Sequence, residues 1–140
     1  MIRVVIDTNV IVSALLNPLG APAQILLLVL SGTVEMCVSG PVYAEYEDVI
    51  SRRRFQFDEK TIAALLSAVR NHTLWVKPTG KVRVCSDPDD NIFLECAETA
   101  FANYLVTGNL KHFPISWEAT DIVTPRQLIE VIRAEDQAPE

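Results

Sequence analysis

A three-layer α/β/α sandwich built on a mainly parallel sheet of about five strands is what the sequence predicts, on three observations. Short β-branched or apolar runs alternate with segments whose apolar residues recur at helical spacing. Two of the short runs, Ile2–Ile6 and Tyr104–Val106, stop abruptly on polar triplets, Asp7-Thr8-Asn9 and Thr107-Gly108-Asn109. No internal repeat or long linker interrupts the alternation, so residues 1–133 read as one domain and 134–140 as a flexible acidic tail. Strands that alternate with helices pair in parallel through right-handed crossovers, and the turns at their carboxyl ends form a ligand crevice.

Each element follows from local pattern. The first strand ends in an acid, and a core strand of this kind delivers its carboxylate to the crevice. Val10, Ile11, Ala14 and Leu15 fall at helical spacing until Asn17-Pro18-Leu19-Gly20 breaks the run. Pro22 suits the first turn of a second helix whose Ile25–Leu30 segment is apolar almost all round. Such a helix is buried in the core or against a second copy, and partial use in a homodimer is expected for a 15.6 kDa chain. Glu35–Ser39 is a second strand, and Ser39-Gly40-Pro41 opens a helix with Val42, Tyr46, Val49 and Ile50 as its apolar stripe. Glu45 lies three after Val42 and four before Val49, on the inward face, where an acid needs a partner.

Asp58 caps the next helix, whose apolar residues are Ile62, Leu65, Leu66 and Val69. Leu74–Val76 is a third strand, Pro78-Thr79-Gly80 turns the chain, and Lys81–Val84 alternates like an exposed edge segment. Asp90, Phe93, Leu94 and Ala97 share one face of a helix with Asp90 in its first turn. Tyr104–Val106 and Asp121–Val123 are the fourth and fifth strands, and a helix from Thr124-Pro125 through Ile132 closes the domain.

Composition narrows the class. A net charge of −6 and a pI near 4.9 argue against a protein that coats nucleic acid through bulk electrostatics. They do not argue against a nuclease, because carboxylates gathered around a cation are locally acidic and the bound ion reverses the field. Cys37, Cys85 and Cys96 are odd in number and form no CxxC pair, so they read as reduced thiols rather than a disulfide framework or zinc site. Asp7 interrupts the first apolar run, which points away from a signal peptide and toward the cytoplasm. The Leu-rich segment is far below the ~20 residues that span a bilayer, so no membrane partner is expected.

The chemistry concentrates in acids. Asp7, Glu45, Asp90 and secondarily Asp87 group in the crevice, where like charges repel unless some protonate or a cation joins them. Hard oxygen ligands without paired His or Cys fit Mg²⁺ or Mn²⁺, which can activate water and steady a phosphodiester in flight. A bland explanation stands beside each: Asp7-Thr8-Asn9 also supplies helix caps, Asp89 and Asp90 favour a helix dipole, and Asp87 before Pro88 opens a turn. Burying an unpaired carboxylate costs several kcal/mol, so Glu45 is the hardest to explain structurally.

The opening Ile-Asp-Thr-Asn-Val, the Tyr43-Ala44-Glu45-Tyr46 helix, Asp87-Pro88-Asp89-Asp90-Asn91 and Leu105-Val106-Thr107-Gly108-Asn109, in that order, resemble a PIN domain from about Ile2 to Ile132. The likeness is greatest to the branch of toxin components of toxin–antitoxin systems, relatives of VapC-type toxins. It implies a Mg²⁺- or Mn²⁺-dependent endoribonuclease, often homodimeric and silenced by a small antitoxin protein in its acidic groove. By that likeness Asp7, Glu45 and Asp90 are the catalytic metal ligands, Asp87 is a secondary one, and Asn109 stands where many members carry Asp. Thr8, Asn9 and Thr107 would orient Asp7 or touch substrate, and Arg53 and Arg83 would lead a set of RNA-guiding cations that also includes Arg52, Arg54, Lys81 and Lys111.

Four residues carry no such assignment. His112 reads as a surface histidine near Asn109, His72 belongs to no constellation, and Trp75 and Trp117 read as packing residues. Because Asn109 removes a charge, a PIN-fold binding module without activity is the alternative. A receiver-like phosphoacceptor lacks its strand-end Lys, and a DxDxT phosphatase lacks its second Asp.

Overall fold

The computed structural model describes residues 1–137, and β1 (Arg3–Ile6) runs through its centre. Val4, Val5 and Ile6 are all fully buried, so both faces of this strand are covered, as a continuous β-branched run in a parallel sheet requires. β1 pairs in parallel with β2 (Glu35–Val38) on one side and β4 (Tyr104–Val106) on the other. β3 (Thr73–Trp75) extends the sheet beyond β2, and β6 (Thr120–Val123) extends it beyond β4. A two-residue strand, β5 (Ser116–Trp117), adds antiparallel to β6, giving the order β3-β2-β1-β4-β6-β5. The α/β/α sandwich is as expected, with six strands in place of five. β5 is too short to carry a period and is joined to β6 through left-handed Glu118, so nothing in its sequence announced it.

Six α-helices connect these strands among the described residues: α1 (Thr8–Leu16), α2 (Ala21–Leu30), α3 (Gly40–Ile50), α4 (Glu59–Asn71), α5 (Asn91–Ala100) and α6 (Pro125–Asp136). Their starts follow the capping rules unevenly. Ser39 accepts from the Val42 N–H, Asp58 from Thr61, and Thr124 forms a reciprocal capping box with Gln127. α1 and α5 begin at Asp7 and Asp90, and neither carboxylate caps its helix.

Two expectations are corrected. Lys81–Val84, expected as an exposed edge segment, joins no strand of the sheet: the Val82 N–H donates to Glu95 Oε1 at 2.8 Å, and the Val84 and Cys85 N–H groups donate to Asn91 Oδ1. Side chains take the bonds that a neighbouring strand would have offered. At the far end α6 continues to Asp136, so the tail expected from Ala134 begins as helix; residues 138–140 lie outside the described part. The apolar α2 buries Ile25 and Val29 and leaves Leu27 and Leu30 exposed.

Candidate active site: an acid crevice at the carboxyl ends of β1 and β4

Parallel pairing of β1 with β4 sets Ile6 beside Val106, so the residues that follow, Asp7 and Thr107, leave the sheet side by side. The Thr107 hydroxyl donates to Asp7 Oδ2 at 2.8 Å and accepts from the Asn109 N–H at 3.0 Å. One helical step on, the Gly108 N–H donates to Asn9 Oδ1 at 3.1 Å, a second tie between the two strand ends. Asp7 is 5% exposed. Burial pushes its carboxyl up to about 6; the Thr107 hydrogen bond pulls it down, and the charges of Asp90 and Glu45 add to the rise.

Glu45 enters from α3. Its neighbour Tyr46, fully buried, donates its hydroxyl to the Ile6 carbonyl, the residue before Asp7. This bond lies one position from each acid and fixes α3 against the end of β1. Glu45 accepts the Thr8 hydroxyl, which is the partner its inward position required. Burial raises its carboxyl, the Thr8 bond lowers it, Asp90 and Asp89 raise it, and Arg52 lowers it.

Asp90 enters from the third side, at the start of α5. Its Oδ2 is the one buried side-chain polar atom without a hydrogen-bond partner among the described residues. The His112 Nδ1 stands 3.6 Å away. Burial and the neighbouring Asp87 raise the Asp90 carboxyl, and His112 offsets part of the rise. Asp87 is exposed and caps the turn at Asp89, yet it shares this field: the Cys85 thiol is pushed up to about 11 by burial and by Asp90, Asp87 and Asp7 together. Buried Asn91 positions the segment through its bonds to the Val84 and Cys85 amides.

The structure brings together Asp7, Thr8, Glu45, Asp90, Thr107 and the backbone of Asn109. Thr8 and Thr107, expected at the substrate, are buried and spend their hydroxyls on the acids, and Asn9 is engaged by Gly108. Arg83 lies exposed on the segment before Asp87, and Arg53 lines a separate groove between the end of α3 and α4, so neither is among the residues brought together with the acids. Sequence reasoning missed Tyr46, Asn91 and the approach of His112 to Asp90. Tyr46 lay on the apolar stripe, where its hydroxyl had no visible destination. Asn91 was legible only as the first residue of a helix.

The PIN domain profile matches residues 3–111. The chain belongs to the PIN domain family. An uncharacterized protein of Methanocaldococcus jannaschii is 30% identical over 141 aligned positions that cover 92% of this chain and 90% of the relative. PIN domains are generally nucleases and typically use divalent metals, so the fold is of nuclease type. In this PIN domain no three Asp, Glu, His or Cys side chains among the described residues stand arranged as a ready-made metal cage. The donor set nonetheless fits a hard cation that arrives with waters of its own: Asp90 Oδ2 lacks a partner, and the Asp90 charge raises both Asp7 and Glu45. No single helix among the described residues is long and apolar enough to cross a membrane.

Proposed function

We propose that this PIN domain is a metal-dependent endoribonuclease that hydrolyses RNA phosphodiester bonds, with Asp7, Glu45 and Asp90 as its metal-holding residues. The observation that carries the reading is the unpartnered, buried Asp90 Oδ2, on a carboxylate whose charge is felt at both Asp7 and Glu45. A carboxylate oxygen left so is costly unless a cation completes it. When bound, an ion of the Mg²⁺ or Mn²⁺ type supplies Lewis acidity and positive charge for phosphodiester hydrolysis. Asp87 and Asn109 are its secondary contacts. Thr107 and Thr8 orient Asp7 and Glu45, and Tyr46 holds the two acids' backbones at a fixed spacing. His112 steadies Asp90.

The fuller reading is the toxin of a toxin–antitoxin pair acting in the cytoplasm, with a small antitoxin protein and a second copy of the chain as partners. Exposed Leu16 and Leu19 at the α1–α2 corner and exposed Leu27 and Leu30 further along α2 support protein-covered surface on these helices. An inactive binding module is favoured instead by Asn109 and by the lack of a preformed cage among the described residues. Incubating purified protein with structured and unstructured RNA in Mn²⁺ separates the two. Cleavage that disappears in EDTA and in Asp7→Asn and Asp90→Asn, by at least about a hundredfold, is the expected result. No cleavage of any RNA, with partner binding intact, decides for the module.

A further inference from the structure

α5 follows Asp90 in the crevice and ends about 15 Å away at the opposite edge of the sheet, where β4 and β6 begin. The residue that closes it, Phe101, holds a left-handed backbone with φ 53° and leaves 79% of its surface in solvent. Glycine takes this position without steric cost, whereas an exposed ring there strains the chain and adds nothing to the core. Glu118, in the turn between β5 and β6, is left-handed as well, at φ 53°. Two of the three non-glycine residues with this backbone among the described residues therefore border one cavity, of about 260 Å³, which Ala97, Glu98 and Thr120 help to line. A second cavity, of about 380 Å³, shares Phe101 and Glu98 with the first and adds Glu95 and Gly80.

The charge at this edge is one-sided. Glu95, Glu98 and Glu118 line the two cavities, and no lysine or arginine does. None of the three forms an ion pair among the described residues: Glu95 accepts the Val82 N–H and Glu98 the Trp117 indole N–H at 3.3 Å, both neutral donors. Phosphates are repelled here, so nucleic acid and anionic lipid are the wrong occupants. An exposed ring among carboxylates attracts cations twice, through the quadrupole of its face and through the neighbouring charges. The aliphatic stems of lysine and arginine cover the ring while their heads reach the acids. We propose that the two cavities at Phe101 dock a lysine- and arginine-rich segment of a partner protein. Cavities with a shared wall accept cations from one segment at two points, an advantage that a single small cation does not have. Docking here draws on none of the crevice acids, and the length of α5 separates the two sites, so a partner held at Phe101 leaves the crevice open.

The test is fluorescence anisotropy on the full chain at physiological salt, with a labelled peptide of alternating arginine and leucine, about eight residues long, as probe. The parent binds it with a Kd of roughly 1–100 μM. Phe101→Gly weakens binding about three- to tenfold. Glu98→Gln and Glu118→Asn each weaken it about two- to fivefold. Neither Phe101→Gly nor Glu118→Asn lowers Tm, because glycine and asparagine both accept a left-handed backbone, so binding lost in these variants is not folding lost. Asp90→Asn, in the crevice, lies beyond the screening length and changes affinity less than about twofold. No binding up to about 1 mM peptide overturns the proposal. Binding lost in Asp90→Asn and kept in Phe101→Gly places the peptide in the crevice and overturns it as well. Spermine that displaces the peptide at equal charge concentration reduces the site to one for small cations. Self-association in sedimentation velocity that Glu98→Gln abolishes assigns the surface to a second copy of the chain, and either result also overturns the proposal.

Discussion

At Asp7 solvation and position are in conflict, and the conflict has a pH signature. The group titrates near 3.8 when solvated and at about 6 in the folded chain. The folded state therefore binds this proton more tightly than the unfolded one. The resulting stabilisation is fully present below about pH 4 and is lost as pH rises through about 6; for Asp7 alone the difference is about 3 kcal/mol. Glu45 and Asp90 shift in the same direction, so the metal-free chain is expected to melt at lower temperature at pH 7.5 than at pH 5. Asp7→Asn keeps an acceptor for Thr107 and discards the charge, so it is expected to stabilise the metal-free protein by about 1–3 kcal/mol at pH 7.5 and to flatten the dependence. Thermal melts in EDTA across that range check both, and a variant no more stable than the parent would remove repulsion from the account. The acids themselves were legible as a strand end, a helix register and a turn motif. Their hydroxyl partners were not, because Thr107 reaches Asp7 only once β4 lies beside β1, and chain order does not state which strands are neighbours.

Between elements, the bond from Tyr46 to the Ile6 carbonyl joins α3 to β1 one residue away from each of two acids. Tyr46→Phe preserves the packed ring and orphans a buried carbonyl, so a loss of about 1–3 kcal/mol is expected in denaturant titration. Cleavage should fall further than this loss of stability explains, because the separation of Asp7 and Glu45 is no longer set; activity unchanged at a temperature where the variant is folded would mean the spacing is fixed elsewhere. The elements were readable for simple reasons: α3 and α4 bury a face whose period the sequence repeats, and β1 and β4 are short continuous apolar runs that end in the core. The failures lie where that logic lapses. At Lys81–Val84 the alternation is real, but Glu95 and Asn91 satisfy the backbone in place of a strand. At Ser116–Trp117 two residues hold no period at all.

For the molecule as a whole, the proposed function would bring an acidic chain to a polyanionic substrate, and a cation in the crevice would reconcile the two locally. A ligand that binds only the folded state raises its stability by about 2.7 kcal/mol at a hundred times its dissociation constant. For a domain of this length that is a rise in Tm of roughly 10 °C. Mn²⁺ is expected to produce a shift of this kind in the parent and little of it in Asp90→Asn, as differential scanning fluorimetry would record. An equal shift in both would place the ion away from the Asp90 oxygen. The sandwich, the order of helices and strands, and the convergence on one sheet edge were readable from alternation and strand-end chemistry. The groove between the end of α3 and α4 was not, since Arg52 and Arg70 are separated by a turn and most of a helix and meet only through the packing of α3 on α4.

The brace at the strand ends engages residue 109 solely by its main-chain amide. Swapping the amide side chain at that position for an acid would therefore alter the electrical load of the crevice and leave its timbering untouched.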